Sequence, residues 1–476
     1  MIMTRPLILV TGASGYIASR LIPRLLEQGY LVRAMARRPE QLAARSWANR
    51  VELVRGDITV PSTLEDALNG VHTAYYLVHN MTIGRGYMRI EIEGAHNFAL
   101  AAERAGIEQI IYLGGLADPN DKRLALHLRS RMETGEMLRR GKVPVTEFRA
   151  GVIAGSGSIS FEMIRFMAEA LPVIIGPTWL RNKAQPIATE NVIDYLIAAL
   201  ENTDKQSRIF EIGGNEISTY GDLMLQYARI RGLKRKLLML PGIPLWLMAM
   251  GVEKITPVPR RIAYALIGGL ANDSVVQHDD AQRIFPNIKL INFEDASTNA
   301  LSHLSPSSME RVWEGLDRGA VRVKHEGFFI DYRRIDINAS PESIYQVITS
   351  LGGGRGWLYA NWLWQFRGWM DQRLGGLGLR GRSNSLLKEN SLVDYYRVEA
   401  IDPNRFLRLY SELRAPGDGW MEWRIETIES KCLLTQTAFF APRGLPGFLY
   451  WHLLDPLHRL VFRGLIQAIK HRSETT

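Results

Sequence analysis

The stretch Leu7 to Leu21, LILVTGASGYIASRL, admits few arrangements. Its apolar run Leu7–Val10 has the length and branching of a buried strand, and Gly12, Gly15 and Ala18 follow at three-residue spacing where a helix should start. A strand, a tight turn and a helix N-terminus in one piece present bare backbone N–H groups to an anion, and a dinucleotide pyrophosphate is such an anion. Gly12 lets the chain turn, Gly15 lets the backbone approach a phosphate, and Ala18 replaces the usual third glycine by only a methyl group.

Length and composition narrow the classes. A chain of 476 residues implies two or three domains, and its 46% hydrophobic and 22% charged residues are those of a globular protein. The single cysteine, Cys432, excludes an internal disulfide and any cysteine-based metal cluster. The N-terminus enters the first strand without a leader-like segment, so a cytoplasmic protein is expected, with contact to the inner face of a membrane as a further option. Of 58 basic and 49 acidic residues, 23 and 19 lie from Ala296 onward, so the net charge of +9 is spread along the chain and nucleic-acid binding is not expected. The longest uncharged run, Leu237–Val252, is too short to span a membrane. Lys234, Arg235 and Lys236 before it and Trp246 within it suit either a membrane interface or a helix lining a substrate cleft.

Further strands are expected at Tyr30–Glu40, Val51–Val54, Thr73–Val78, Gln109–Leu113, Pro144–Arg149 and Phe210–Ile212. Helices are expected at Ser62–Leu68, capped by Ser62, and at Arg89–Ala105, Asn191–Leu200 and Tyr220–Arg231. This alternation predicts an α/β domain with a doubly wound, Rossmann-type parallel sheet. An acidic residue about 20 positions beyond the glycines would bond the ribose of NAD, but Arg37 and Arg38 stand there instead. Guanidinium groups suit a 2′-phosphate, so NADP is the expected cofactor; the alternative is two solvated arginines at a strand end.

Thr11–Ala18, Arg37, Gly56-Asp57-Ile58, the SRMETGEMLR helix from Ser130, Gly151–Ser158 and Phe210–Met224 resemble the short-chain dehydrogenase/reductase superfamily in its atypical, NmrA-like branch, over roughly the first 290 residues. The resemblance implies NAD(P) contacts at Thr11, Gly12, Ser14, Gly15, Tyr16, Ile17, Arg37, Arg38, Asp57, Ile58, Leu77, Val78, His79 and Gly114. It also implies a catalytic Ser, Tyr and Lys. Gly114-Gly115 stands where the serine belongs, His127 at the tyrosine and Arg131 at the lysine. Arginine can orient a ribose but cannot relay a proton, whereas the imidazole of His127 can act as acid or base, or serve as a cap or cofactor contact. His79, just after the fourth strand, is a second acid/base candidate or lines the cofactor site, and Tyr112 is expected in the core.

Between Val152 and Phe285 lies the expected substrate side, with Phe161–Ala170 and Trp179 over the cleft and no metal-ligand spacing or nucleophile elbow. The first domain is therefore set at 1–295 and a linker at 296–323, where Ser, Asn, Thr and Pro accumulate. Residues 324–476 form a second domain. Strands at Gly327–Asp336, Leu392–Ala400, Phe406–Glu412, Gly419–Ile428 and Cys432–Phe440, a helix capped at Ser340, and one long helix Leu445–His471 with a kink expected at Pro456 resemble the α+β helix-grip fold of START and polyketide-cyclase-like domains. Eight of the 11 tryptophans fall from Trp313 onward; they line an apolar pocket or fill a core, and WLWQFRGW from Trp362 also suits a membrane surface. Three functions are expected: an NADP(H)-dependent oxidoreductase acting on a small apolar ligand, a non-catalytic redox sensor, or a peripheral lipid-binding protein.

Overall fold

The computed structural model describes residues 6–79, 86–121, 124–201, 206–309, 311, 313–314, 319–382, 386–428 and 431–475. The chain divides into two units, Met1–His303 with Ser308–Leu316, and Leu304–Ser307 with Asp317–Thr476.

The first unit is built on β1 (Leu7–Thr11), α1 (Tyr16–Glu27), β2 (Leu31–Ala36), β3 (Glu52–Arg55), α2 (Ser62–Leu68), β4 (Thr73–Tyr76), α3 (Tyr87–Arg104), β5 (Gln109–Gly115), α4 (Leu126–Arg139) and β6 (Val145–Ala150). It continues through β7 (Ile153–Ala154), α5 (Ile159–Ala170), β8 (Val173–Pro177), β9 (Lys183–Ala184), β10 (Ile187–Ala188), α6 (Thr189–Ala198), β11 (Arg208–Ile212), β12 (Ser218–Thr219) and α7 (Tyr220–Ile230). β13 (Lys236–Leu240), α8 (Leu245–Ile255), α9 (Arg260–Gly269), α10 (Asp280–Ile284) and α11 (Phe293–Ser302) complete it. Seven parallel strands run in the order β3-β2-β1-β4-β5-β6-β11, with the chain reversing direction of growth beside β1. Ile8, Val10, Ala18, Leu21, Ile22 and Val32 pack one face of the sheet, and Leu9, Ala74, Phe98 and Ile110 pack the other. The central strands β1, β4 and β5 are buried on both sides and so do not alternate between apolar and polar residues, whereas the edge strands β3 and β11 carry exposed residues.

Four local expectations change. Ser62 does not cap its helix: it is the first helical residue, and the cap position falls on Pro61, whose side chain has no acceptor to offer. Leu237–Val252 is no single helix: its first residues extend β8 as the parallel partner β13, and Pro241-Gly242 separates them from α8. Residues 296–302, read as the start of a linker, belong to α11, where Ala296 and Ala300 join the core of the first unit. Apolar alanines at four-residue spacing outweigh the polar residues between them. Trp179 lies in a short 3₁₀ turn and does not line either cavity described below, whereas Ser160, Met163 and Ile164 of α5 do.

The second unit contains β14 (Ala320–His325), β15 (Phe328–Ile337), α12 (Pro341–Thr349), α13 (Asn361–Arg373), β16 (Leu392–Val393), β17 (Tyr396–Asp402), β18 (Phe406–Ser411), β19 (Gly417–Ile428), β20 (Lys431–Pro442), α14 (Gly444–Leu453) and α15 (Asp455–Thr475). It is an α+β unit whose seven antiparallel strands run β14-β15-β20-β19-β18-β17-β16. Ser340 caps α12 by accepting from Ser343 N–H. The C-terminal helical stretch is broken at Leu454 into α14 and α15, since Pro456 fits the first turn of a new helix and not the interior of an old one. Val461, Leu465 and Ile469 of α15 join a core that also holds Trp357, Trp364 and Trp423. Gln436 ties the parts together: its carbonyl accepts from Trp423 Nε1 at 3.1 Å and its amide donates to Phe462 O at 2.8 Å.

Candidate cofactor and proton-transfer site

Gly12 has φ +63°, a left-handed conformation that glycine adopts without strain, and a Cβ there would stand 2.9 Å from Leu77 O. The turn is closed by Gly15 N–H donating to Gly12 O at 2.8 Å, and α1 starts at Tyr16 with no acidic side chain in its first turn. In that turn the amides of Ala13 and Gly15 are engaged by Met35 O and Gly12 O, and the first turn of α1 carries no carboxylate to compete for an anion at the helix start. Thr11 is fully buried; its hydroxyl accepts from Leu77 N–H at 3.0 Å and fixes the ends of β1 and β4 side by side. Tyr16 reaches across to Thr189 Oγ1 at 2.9 Å.

These elements border a cleft of about 590 Å³ at the carboxyl ends of the strands. Gly12, Ser14, Gly15, Tyr16, Ile17, Arg37, Asp57, Ile58, Leu77, Val78, His79, Gly114, His127 and Arg131 all line it; Thr11 and Arg38 do not. Arg37 is exposed and makes no hydrogen bond or ion pair to a described residue. Asp57 is occupied by its own loop, accepting from Thr59 N at 2.9 Å and Thr59 Oγ1 at 2.8 Å. A Cβ on Gly115 would come within 3.0 Å of Arg131 Cδ, so the side chain of Arg131 takes the space that a larger residue there would need.

A second cavity of about 120 Å³ adjoins the cleft and shares His127, Leu128, Ala150, Gly151, Ser160 and Leu266 with it. Its walls are chiefly apolar, with Val152, Met163, Ile164, Met224 and Leu270, and with Asn272 and Ser274 as polar points. His127 stands where the two meet. Its ring lies over Gly269, where a Cβ would be 2.5 Å from Cε1, and its Nδ1 is buried with no partner among the described residues. Burial, Arg131 and His79 hold its pKa down to about 3, so the imidazole is neutral at physiological pH. Tyr112 also lines the cleft, but its hydroxyl donates to Arg131 O at 2.9 Å, and burial raises its pKa.

His79 is arranged differently. Its Nδ1 lies 2.7 Å from Oε1 of Glu91, a buried carboxylate on α3, and Ser130 Oγ of α4 donates to the other oxygen, Oε2. A carboxylate can only accept, so Nδ1 carries the proton and Nε2 is left as the acceptor. Nε2 is buried and has no partner among the described residues. Burial and Arg131 lower the pKa of His79, while Glu91 pulls it back up. Glu91 and Ser130 escape a reading of the sequence, because their partnership with His79 crosses from the end of β4 to α3 and α4; Ser130 opens the SRMETGEMLR motif, which is the one hint available.

The all-parallel sheet, the glycine turn and the cleft over the strand ends define an NAD(P)H-binding domain of Rossmann type, and residues 12–142 match the family described as NAD(P)H-binding. Residues 325–465 match a family described as a protein of unknown function (DUF2867). Among curated proteins, a 3-beta-hydroxysteroid dehydrogenase of Mycolicibacterium neoaurum is 30% identical over 115 residues, covering 22% of this chain and 31% of that protein. The photosystem II assembly factor Ycf39 of Cyanophora paradoxa is 24% identical over 241 residues, 49% of this chain and 71% of that protein. The chain thus spans about a third of the length of the first of these relatives. Among solved structures, Citrobacter triphenylmethane reductase complexed with NADP(H) superposes with a TM-score of 0.50 at 18% identity, over 61% of this chain and 99% of that one. The NADPH-dependent quinone oxidoreductase QOR2 of Escherichia coli, complexed with NADPH, gives 0.50 at 17% identity, over 62% and 99%. These likenesses show the fold.

Proposed function

We propose that the first unit is an NADP(H)-dependent reductase for a small apolar carbonyl or quinone-like molecule. The observation that carries the reading is the joining of two cavities: a cleft lined by the glycine turn and the unpaired Arg37, and an apolar pocket that meets it at His127. Gly12, Ser14 and Gly15 would hold the pyrophosphate, Arg37 the 2′-phosphate, and Arg131 would orient the nicotinamide ribose. NADPH, when bound, supplies a hydride. In reducing a carbonyl, the carbon takes that hydride with its electron pair, the C=O π pair moves to oxygen, and the oxygen needs one proton. His79 in its charged form gives that proton from Nε2 and returns to the neutral imidazole, with Nδ1–H still held on Glu91. His127, neutral, offers a ring N–H as a hydrogen bond to the same oxygen rather than a proton of its own.

The likeness to a triphenylmethane reductase complexed with NADP(H) and to an NADPH-dependent quinone oxidoreductase supports this reading in chemical kind. A second reading, a redox sensor that binds NADP(H) without turnover, is favoured by the glycines at the end of β5 and by the Tyr112 hydroxyl spent on Arg131 O. We read the second unit as a helix-grip domain, on the strength of its antiparallel sheet and the terminal α15 packed on β15 and α12. The test is oxidation of NADPH, followed at its nicotinamide absorbance, against a panel of quinones, enones and triarylmethane dyes. Turnover supports the reductase; tight NADPH binding with no acceptor reduced supports the sensor.

A further inference from the structure

The first unit presents an apolar surface that neither the cofactor cleft nor the core uses. β8 and β13 form a two-stranded parallel ribbon with Ile175 opposite Leu238 and Pro177 opposite Leu240. Ile174, Leu237 and Met239 point into the core, so Val173, Ile175, Leu238 and Leu240 stand on the other side, exposed; Ile175 is 50% exposed. Past the turn at Gly242, Trp246 of α8 is 60% exposed, with Leu247 beside it and Tyr264 exposed on α9, which packs on α8. Between Leu233 and Tyr264 the chain carries six basic residues and one acidic residue, Glu253, and a carboxylate oxygen of Glu253 already accepts from Arg260 N–H. Lys234, Lys236, Lys254, Arg260 and Arg261 are exposed.

We infer that this ribbon, with Trp246 and the basic residues around it, docks the protein on the surface of an anionic lipid bilayer. Aliphatic side chains enter the acyl boundary, an indole sits at headgroup level, and Lys and Arg meet anionic headgroups; the exposed Lys234, Lys236, Arg260 and Arg261 against one occupied carboxylate select this occupant over a neutral apolar partner. The inference rests on the proposed reductase for its purpose. α9 gives Leu266 and Gly269 to the wall of the apolar cavity, so a substrate dissolved in the bilayer would enter beside the docked face.

The experiment is co-sedimentation of the full chain with vesicles of phosphatidylcholine alone and of phosphatidylcholine with 30% phosphatidylglycerol, at low and high salt. Binding is expected to the anionic vesicles only, to weaken with salt, and to fall at least tenfold in Leu238→Asp and in Trp246→Ala. Lys234→Ala with Lys236→Ala should lose the preference for phosphatidylglycerol. NADPH titration of each variant shows that the fold and the cofactor site survive, and it judges the cofactor reading separately. Equal binding to both vesicle types, no binding, release by Trp362→Ala with Phe366→Ala on α13 but not by the ribbon variants, or a dimer dissociated by Leu238→Asp in place of a lost vesicle contact would each overturn the inference.

Discussion

His79 Nδ1 lies 2.7 Å from Glu91 Oε1 at the end of the cofactor cleft, and the proposed reductase draws its proton from this pair rather than from His127. Removing the carboxylate leaves the imidazolium buried near Arg131 with no counter-charge. Glu91→Gln is expected to reduce kcat for NADPH-dependent reduction about 10²-fold while leaving NADPH affinity nearly unchanged. Because the pKa of His79 is lowered from its ordinary value, the parent rate should rise as pH falls below 6.5 toward that pKa, and Glu91→Gln should move the rise to still lower pH. The pH profile of kcat/KM for parent and variant checks both points.

His127 makes a prediction about stability. With a folded pKa of about 3 against about 6.5 unfolded, the unfolded chain binds a proton that the folded chain refuses throughout that interval. Stability is therefore complete above pH 6.5 and declines as pH falls toward 3, by up to about 1.4 kcal/mol per pH unit. His458, held to about 4 in the second unit, acts in the same direction. Denaturant unfolding between pH 7 and pH 4 should show a shallower loss in His127→Leu than in the parent, and an equal slope would count against a buried neutral imidazole.

Gly269 is the seat of the His127 ring. A methyl there would meet Cε1 at 2.5 Å, so Gly269→Ala should push the ring into the cavity junction, cost about 1–3 kcal/mol of stability and lower turnover more than NADPH affinity. Thermal unfolding and steady-state kinetics of the one variant measure both effects.

In the second unit, Gln436 is buried and serves Trp423 Nε1 and Phe462 O together. Gln436→Leu strands the Trp423 Nε1–H donor, at about 1–3 kcal/mol for a buried group left unpaired, and removes the side-chain tie to Phe462 O of α15. The unfolding midpoint of the second unit should fall while NADPH binding by the first is untouched.

Much of this architecture was legible in local patterns. The strand, turn and helix at Leu7–Leu21 form as spacing requires, and the core strands of the parallel sheet lie within a few residues of their expected places, because a continuous apolar run bounded by glycine is a local signal. The break at Leu454 and the extension of α11 through residues 296–302 were less legible: one proline reads equally as a kink or a new start, and two alanines are a thin stripe among polar residues. At the site, Gly12, Ser14, Gly15, Tyr16 and Ile17, which line the cleft, sit in one short stretch, so their proximity is legible in the sequence. The bracing of His79 by Glu91 and Ser130 depends on how α3 and α4 pack, which no spacing along the chain encodes.

The most direct test of the account is calorimetric titration of the full chain with NADPH and with NADH. Charge-assisted bonds from Arg37 to a 2′-phosphate, at about 1.5–3 kcal/mol, predict NADPH binding roughly ten- to a hundredfold tighter than NADH, with the difference abolished in Arg37→Asp. Equal affinities that Arg37→Asp leaves unchanged would contradict the assignment of Arg37, and the absence of heat with either nucleotide would contradict the account as a whole.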